Sequence, residues 1–126
     1  LTDVTGFGLA GHALEIARGA NCTIHLDWAS VPLLPGVREL AAQGMVTGAS
    51  GRNWLGYGAD VSLPAGFAAH DQALLSDPQT SGGLLVSCAP DCSGAVALQL
   101  QTQLGSEALS GLRGQMRFDA FRMTVR

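Results

Sequence analysis

The sequence predicts an α/β or α+β domain in which helices pack on a sheet. Three observations point there. Stretches of helical and of alternating apolar period succeed one another along the chain, and glycine and proline mark the changeovers. The 126 residues are 47% hydrophobic and only 13% charged. That is too apolar for a disordered chain and long enough to bury the core of one ordinary domain.

Residues 8–18 read as a helix, with Leu9, Ala13, Ile16 and Ala17 on one face and Gly19 as the stop. Residues 22–26 read as a strand, Cys22, Ile24 and Leu26 alternating with Thr23, His25 and Asp27. Pro35 suits the first position of a second helix, which Gly44 ends. Residues 47–58 carry Gly48, Gly51, Gly56 and Gly58 around Arg52, Asn53 and Trp54, and are expected to be a loop. A short strand over 60–63 and a helix over 68–75 follow. Asp77-Pro78 breaks that helix, because a residue before proline avoids the α region. Residues 84–87 read as an apolar strand, Pro90 opens a helix running to Leu104 and stopping at Gly105, and residues 118–125 form a last strand with Phe121, Met123 and Val125 on one face. The strand order is not legible. Neither repeats nor an interdomain linker stand out, so residues 1–126 are expected to be a single domain.

Composition narrows the function. The net charge is −3, so no nucleic-acid footprint is visible. No stretch approaches the ~20 apolar residues of a membrane span, and nothing at the start reads as a signal peptide, so a soluble cytoplasmic protein is expected. All seven basic residues are Arg, which excludes a catalytic or phosphate-binding lysine in this chain. Arg113, Arg117, Arg122 and Arg126 cluster at the C-terminus and read as a solvated final strand. Cys22, Cys88 and Cys92 make no disulfide framework. With His12, His25 and His70 scattered, they make no zinc site either, so buried free thiols are expected. The chain starts at Leu1 directly on a dense motif, which predicts a fragment of a longer protein.

Two motifs carry chemistry. The first is Thr2-Asp3-Val4-Thr5-Gly6-Phe7-Gly8, leading into the first helix. Asp3 is a short carboxylate ahead of a glycine turn, and Gly6 and Gly8 let backbone N–H groups approach a ligand. That pairing suits a Mg²⁺–nucleotide, the metal on carboxylate oxygen and the phosphates on N–H donors. It equally suits a plain helix start, with Thr5 capping and Asp3 facing the helix dipole. Gly6-Phe7-Gly8-Leu9-Ala10-Gly11 also fits the dinucleotide pattern, with Asp27 near the distance of a ribose-binding acid. That reading lacks a hydrophobic strand before the glycines and is kept as the alternative. The second motif is Asp77-Pro78-Gln79-Thr80-Ser81-Gly82-Gly83, whose hydroxyls and glycines allow either an anion-binding nest or an ordinary turn into a strand.

Together these segments resemble the selenophosphate synthetase family (selenide, water dikinases). The matching pieces are Thr2 to Gly8, Leu9-Ala10-Gly11-His12, Pro32-Leu33-Leu34-Pro35-Gly36, Arg52-Asn53 and Asp77 to Leu85, in order over residues 1–90. The Asp-Pro-Gln-Thr-Ser-Gly-Gly string helps to separate this family from the aminoimidazole ribonucleotide and formylglycinamidine synthetases, the thiamine-phosphate kinases and the hydrogenase maturation ATPases. Residues 54–70 follow the family loosely, and after residue 105 the match fades.

The resemblance implies a C-terminal α/β domain, a mixed sheet covered by helices. It also implies a reaction in which ATP, selenide and water give selenophosphate, orthophosphate and AMP, supplying selenocysteine and selenouridine synthesis. By its place in the motif, Asp3 corresponds to the family's Mg²⁺-binding aspartate in this domain. Thr2, Thr5, Gly6, Thr80, Ser81, Gly82 and Gly83 would line the nucleotide cleft. The family's reactive Cys or selenocysteine, its essential Lys and its other metal-binding aspartates belong to an N-terminal ATP-binding domain. No catalytic residue is therefore expected in this fragment, which would be inactive alone and hold no tightly bound cofactor. Its parent would be a homodimer. The competing function is a non-catalytic binding module that keeps the fold without the chemistry.

Overall fold

A computed structural model describes residues 1–80, 82–104, 115–117 and 122–125. Its first element, strand β1 (Thr2–Asp3), leads into helix α1 (Gly8–Ala20). On α1, Ala10, Ala13, Leu14 and Ala17 are buried at the i, i+3, i+4, i+7 spacing of an apolar face. Three of the four are alanines, which lets the helix lie close to what it covers. The helix outruns the stop expected at Gly19. Asn21 takes the left-handed conformation (φ 49°), and its N–H reaches the carbonyls of Ala17 and Arg18. Asparagine tolerates this cap geometry almost as glycine does.

Strand β2 (Thr23–Leu26) follows, then a short 3₁₀ turn at Trp28–Ser30. Helix α2 (Val37–Ala42) begins two residues later than expected. Pro35 and Gly36 instead form a turn closed by Val37 N–H donating to the Leu34 carbonyl (3.2 Å), and Gly36 has φ 79°. Proline then glycine at the centre of a turn is the type II pattern.

The largest departure from expectation is helix α3 (Gly48–Tyr57), where the glycines predict a loop. Thr47 caps it by accepting from the Ser50 N–H (3.1 Å). Tertiary bonding overrides the poor helix propensity of glycine here. Ser50 is buried, and its hydroxyl meets the Ala73 carbonyl (2.5 Å) and the Ser76 hydroxyl (2.9 Å). Strand β3 (Val61–Ser62), helix α4 (Ala69–Leu75), strand β4 (Leu84–Leu85), a 3₁₀ turn at Pro90–Cys92 and helix α5 (Ser93–Leu104) complete the part before the C-terminal strands. These are close to the expected elements, with shorter strands.

Strands β5 (Gln115–Arg117) and β6 (Arg122–Val125) close the main sheet, which has the order β3-β6-β2-β5. It is mixed: β6 runs parallel to both β2 and β3, and β5 antiparallel to β2. Met123 and Val125 are buried with Leu26, Val61, Leu75 and the α1 face in one core. The C-terminal strand is therefore central, not a solvated edge. Phe118, Phe121, Gly105, Arg113 and Arg126 lie outside the described residues. Of the cysteines, Cys22 is buried and its thiol is pushed up by burial, whereas Cys88 and Cys92 are exposed; the expectation of buried thiols holds for the first alone. Cys22 directly precedes β2, whereas Cys92 ends the exposed 3₁₀ turn before α5 and Cys88 lies two residues ahead of that turn. No described helix is long and apolar enough to cross a membrane.

Candidate functional site

The two motifs are one structure. Strand β1 pairs antiparallel with β4, setting Thr2 opposite Leu85 and Asp3 opposite Leu84. The pairing continues as Val4 N–H donates to the Gly83 carbonyl (2.9 Å), and Gln79 N–H donates to the Thr5 carbonyl (3.0 Å). Gly82 lies so close to the Val4 carbonyl that a Cβ there has no room. At Gly8, with φ +69°, a Cβ would stand 2.7 Å from the Ser76 carbonyl carbon. Glycine is required at both places by backbone against backbone, not by loop freedom in general.

Helix α3 clamps the junction. The Asn53 amide donates to the Gly6 carbonyl (2.8 Å) and to the Ser76 carbonyl (3.0 Å), so one side chain ties the first motif to the residue just ahead of the second. Tyr57 donates to the Phe7 carbonyl at 2.6 Å. Burial pushes the Tyr57 phenol up to about 12, an effect partly offset by a hydrogen bond from the Gly11 backbone, so the phenol remains a donor at neutral pH. Thr47 donates to Asp77 (2.8 Å). Sequence reasoning marked Asn53 only as part of the family match, gave it no role, and passed over Tyr57, because their stretch reads as a loop. Their i, i+4 spacing is the signal that a helical reading exposes.

Thr5 does not cap α1. The N-cap residue is Phe7, with no side-chain cap bond. The Thr5 hydroxyl instead lies 3.1 Å from His12 Nε2, and His12 Nδ1 lies 2.7 Å from a Glu15 carboxylate oxygen. His12 is 7% exposed, and its ring packs against Phe7 with centroids 5.9 Å apart. His12 and Glu15 belong to the i, i+3 pairs of a helix face, a relation visible in the sequence but not singled out there.

The remaining predicted residues sort plainly. Asp3 is exposed on β1, with Thr2 half-buried beside it. Gly6, Thr80 and Gly83 are exposed, and Gly82 is half-buried. Ser81 lies outside the described residues. Among the described residues, no three His, Cys, Asp or Glu side chains gather where they could hold a metal. The dinucleotide pattern fails structurally. Strands β1 and β2 lie in different sheets, so no parallel βαβ unit frames Gly6 to Gly11. Asp27 is spent on its own turn, accepting from Ala29 N–H (3.2 Å) and the Ser30 hydroxyl (2.6 Å).

A cavity of about 390 Å³ opens elsewhere, lined among others by Trp28, Arg38, Pro64, Phe67 and Asp71 and by no motif residue. Within this lining Arg38 is paired with Asp71 at 2.8 Å and lies 5.6 Å over the Trp28 ring. Cavity size alone would make this the default site. The motif chemistry outweighs it, because the cavity's Arg38 and Asp71 already satisfy each other.

A family model described as AIR synthase related protein, C-terminal domain, matches residues 1–106. The chain belongs to that family. Proteins named Selenide, water dikinase from Burkholderia ambifaria and Pseudomonas straminea are 64% and 62% identical to it over 91 residues, which is 72% of this chain and 26% of theirs. One so named from Rhizobium meliloti is 47% identical over 125 residues, 99% of this chain and 35% of its own. These matches bear out the resemblance to selenophosphate synthetases, and the last carries it past residue 105. The chain spans about a quarter to a third of the length of these curated relatives.

Proposed function

We propose that this chain is the C-terminal domain of a selenide, water dikinase, which makes selenophosphate from selenide and ATP with release of AMP and orthophosphate. The observation that carries this reading is the pairing of Thr2, Asp3, Val4 and Thr5 with Leu85, Leu84, Gly83 and Gln79, which leaves the exposed Asp3 on a ledge of closely approached backbone. Phosphoryl transfer of this kind depends on positioning and charge neutralisation. Asp3 offers one hard oxygen to Mg²⁺, an ion of about six oxygen ligands, so its other ligands must come from ATP, water and another domain. Bound there, Mg²⁺ would neutralise charge on the phosphates. Gly6 and Gly83 leave room for a ligand close to the backbone, and Thr2, Thr5, Thr80, Ser81 and Gly82 would line the cleft.

The nucleophilic Cys or selenocysteine and the lysine are supplied by an N-terminal domain, in a parent that is a cytoplasmic homodimer. The absence of lysine from this sequence supports that division. In the full-length protein, Asp3→Asn is expected to lower selenide-dependent AMP formation by about 100-fold, the upper end of what losing a supporting group of a metal site costs. Kinetics near those of the unaltered enzyme would remove Asp3 from the site. The 126-residue chain alone is expected to show no selenide-dependent ATP hydrolysis.

A further inference from the structure

We propose that the outer side of helix α2 and the turn after it, centred on Leu40, Met45 and Val46, is where the N-terminal domain of the parent protein seats on this one. The inference rests on the reading that such a domain completes the Asp3 ledge, and it says where that domain lies. The segment stands apart from the rest of the fold. Leu33, Leu34, Leu40, Met45 and Val46 are all exposed. Within α2 only Ala41 is buried, whereas α1 buries a whole face. The helix's one cation, Arg38, is paired with Asp71 of α4, so α2 is held on that side and open on the other.

Single exposed leucines are ordinary on a protein surface. These residues are neighbours. Met45 N–H donates to the Leu40 carbonyl (3.1 Å) and Gly44 N–H to the Ala41 carbonyl (3.0 Å), with Gly44 at φ 88°. That is the Schellman ending of a helix, in which the residues at the Leu40 and Met45 positions characteristically meet. Here neither is covered: Met45 is 65% exposed and Leu40 46%. A grouped apolar surface of this kind marks a contact with another body.

Two observations choose the occupant. The patch runs directly into the ledge. Val46 is followed by Thr47, whose hydroxyl donates to Asp77 at the head of the second motif (2.8 Å). Thr47 also caps α3, which carries Asn53 to the Gly6 and Ser76 carbonyls. An interface between domains of one chain covers about 600–1,500 Å². That is more than a pair of two-residue strands offers, so a domain seated at the ledge must extend past it, and the path through Asp77 and Thr47 leads onto this apolar surface. The second observation is length. The chain spans 26% of the Burkholderia ambifaria relative and 35% of the Rhizobium meliloti one, so most of a parent of that size lies outside it.

Met45 itself reports on the cover. In the unaltered full-length protein, its oxidation by hydrogen peroxide is read by peptide mass spectrometry. It is expected to run at least about tenfold slower than in the same protein unfolded in urea, because access then waits on local opening. A side chain 65% exposed in this domain has no such protection of its own, so a smaller difference overturns the proposal. The occupant is read by photo-cross-linking from a benzophenone amino acid placed at position 45 of the full-length protein. Cross-links to the N-terminal domain support the proposal. Cross-links to residues 1–126 of a second copy, or none at all, overturn it. Neither readout involves ATP or a metal, which separates it from the reading beneath. If Asp3→Asn keeps full activity while Met45 stays protected, the Asp3 assignment falls and the seat of the domain stands.

Discussion

The motif ledge and the Trp28 cavity are built on opposite principles. At the ledge, backbone meets backbone: β1 pairs with β4, Gly82 lies against the Val4 carbonyl, and Asn53 bridges the Gly6 and Ser76 carbonyls. At the cavity, side chains meet side chains: Arg38 pairs with Asp71 and covers Trp28, and Phe67 packs edge-on to Trp28 at 5.8 Å. The cavity has volume but its charges are neutralised from within. The ledge leaves the carboxylate of Asp3 exposed and Gly6 and Gly83 free of bulk. A site finished by another domain and a nucleotide needs the second kind of surface.

Substitution at Gly82 should separate the two regions most sharply. Gly82→Ala pushes a methyl into the Val4 carbonyl and is expected to cost about 3 kcal/mol by chemical denaturation. A cost below about 1 kcal/mol would mean that the strands pair more loosely than described. Asn53→Ala should come next, at about 2 kcal/mol, because two carbonyls lose one shared donor. It should also reduce activity of the full-length protein, since both motifs shift.

Tyr57→Phe should cost about 1 kcal/mol at neutral pH through loss of the bond to Phe7. It also carries a pH signature. The phenol's value is raised to about 12 in the fold, against about 10 in an unfolded chain. Its contribution is thus complete below the unfolded value and is lost as pH rises toward the folded one, because the unfolded chain ionises first. That loss should be at most about 2 kcal/mol, since the ring is only partly buried and solvent screens it. The Tyr57→Phe protein should show a flatter stability curve across this alkaline window. Parallel curves for the two proteins would show that the phenol is not held as described. The smallest effect belongs to the cavity. Arg38→Ala should cost about 1 kcal/mol or less, the worth of an exposed ion pair and a surface cation–π contact, and leave activity intact. A tenfold loss of activity there would reverse the ranking of the two regions.

The sequence alone settled what depends on near neighbours. Asp3 ahead of a glycine turn, the proline break at Pro78 and the alternation of β2 are all local patterns, and the fold class follows from their succession. The helical face was legible too, although Ala10 and Leu14 are buried more deeply than the expected Leu9 and Ile16. What tertiary structure decided is what needs a distant partner. The glycine-rich stretch at 48–57 becomes a helix because Ser50 and Asn53 find partners near Ala73 and Ser76. Strand β6 becomes central because β2 and β3 both pair with it. Two-residue strands such as β1 and β4 carry almost no pattern of their own, since their hydrogen bonds run to another segment. For the same reason the sequence supplied the two motifs separately, and only the fold joined them into one ledge.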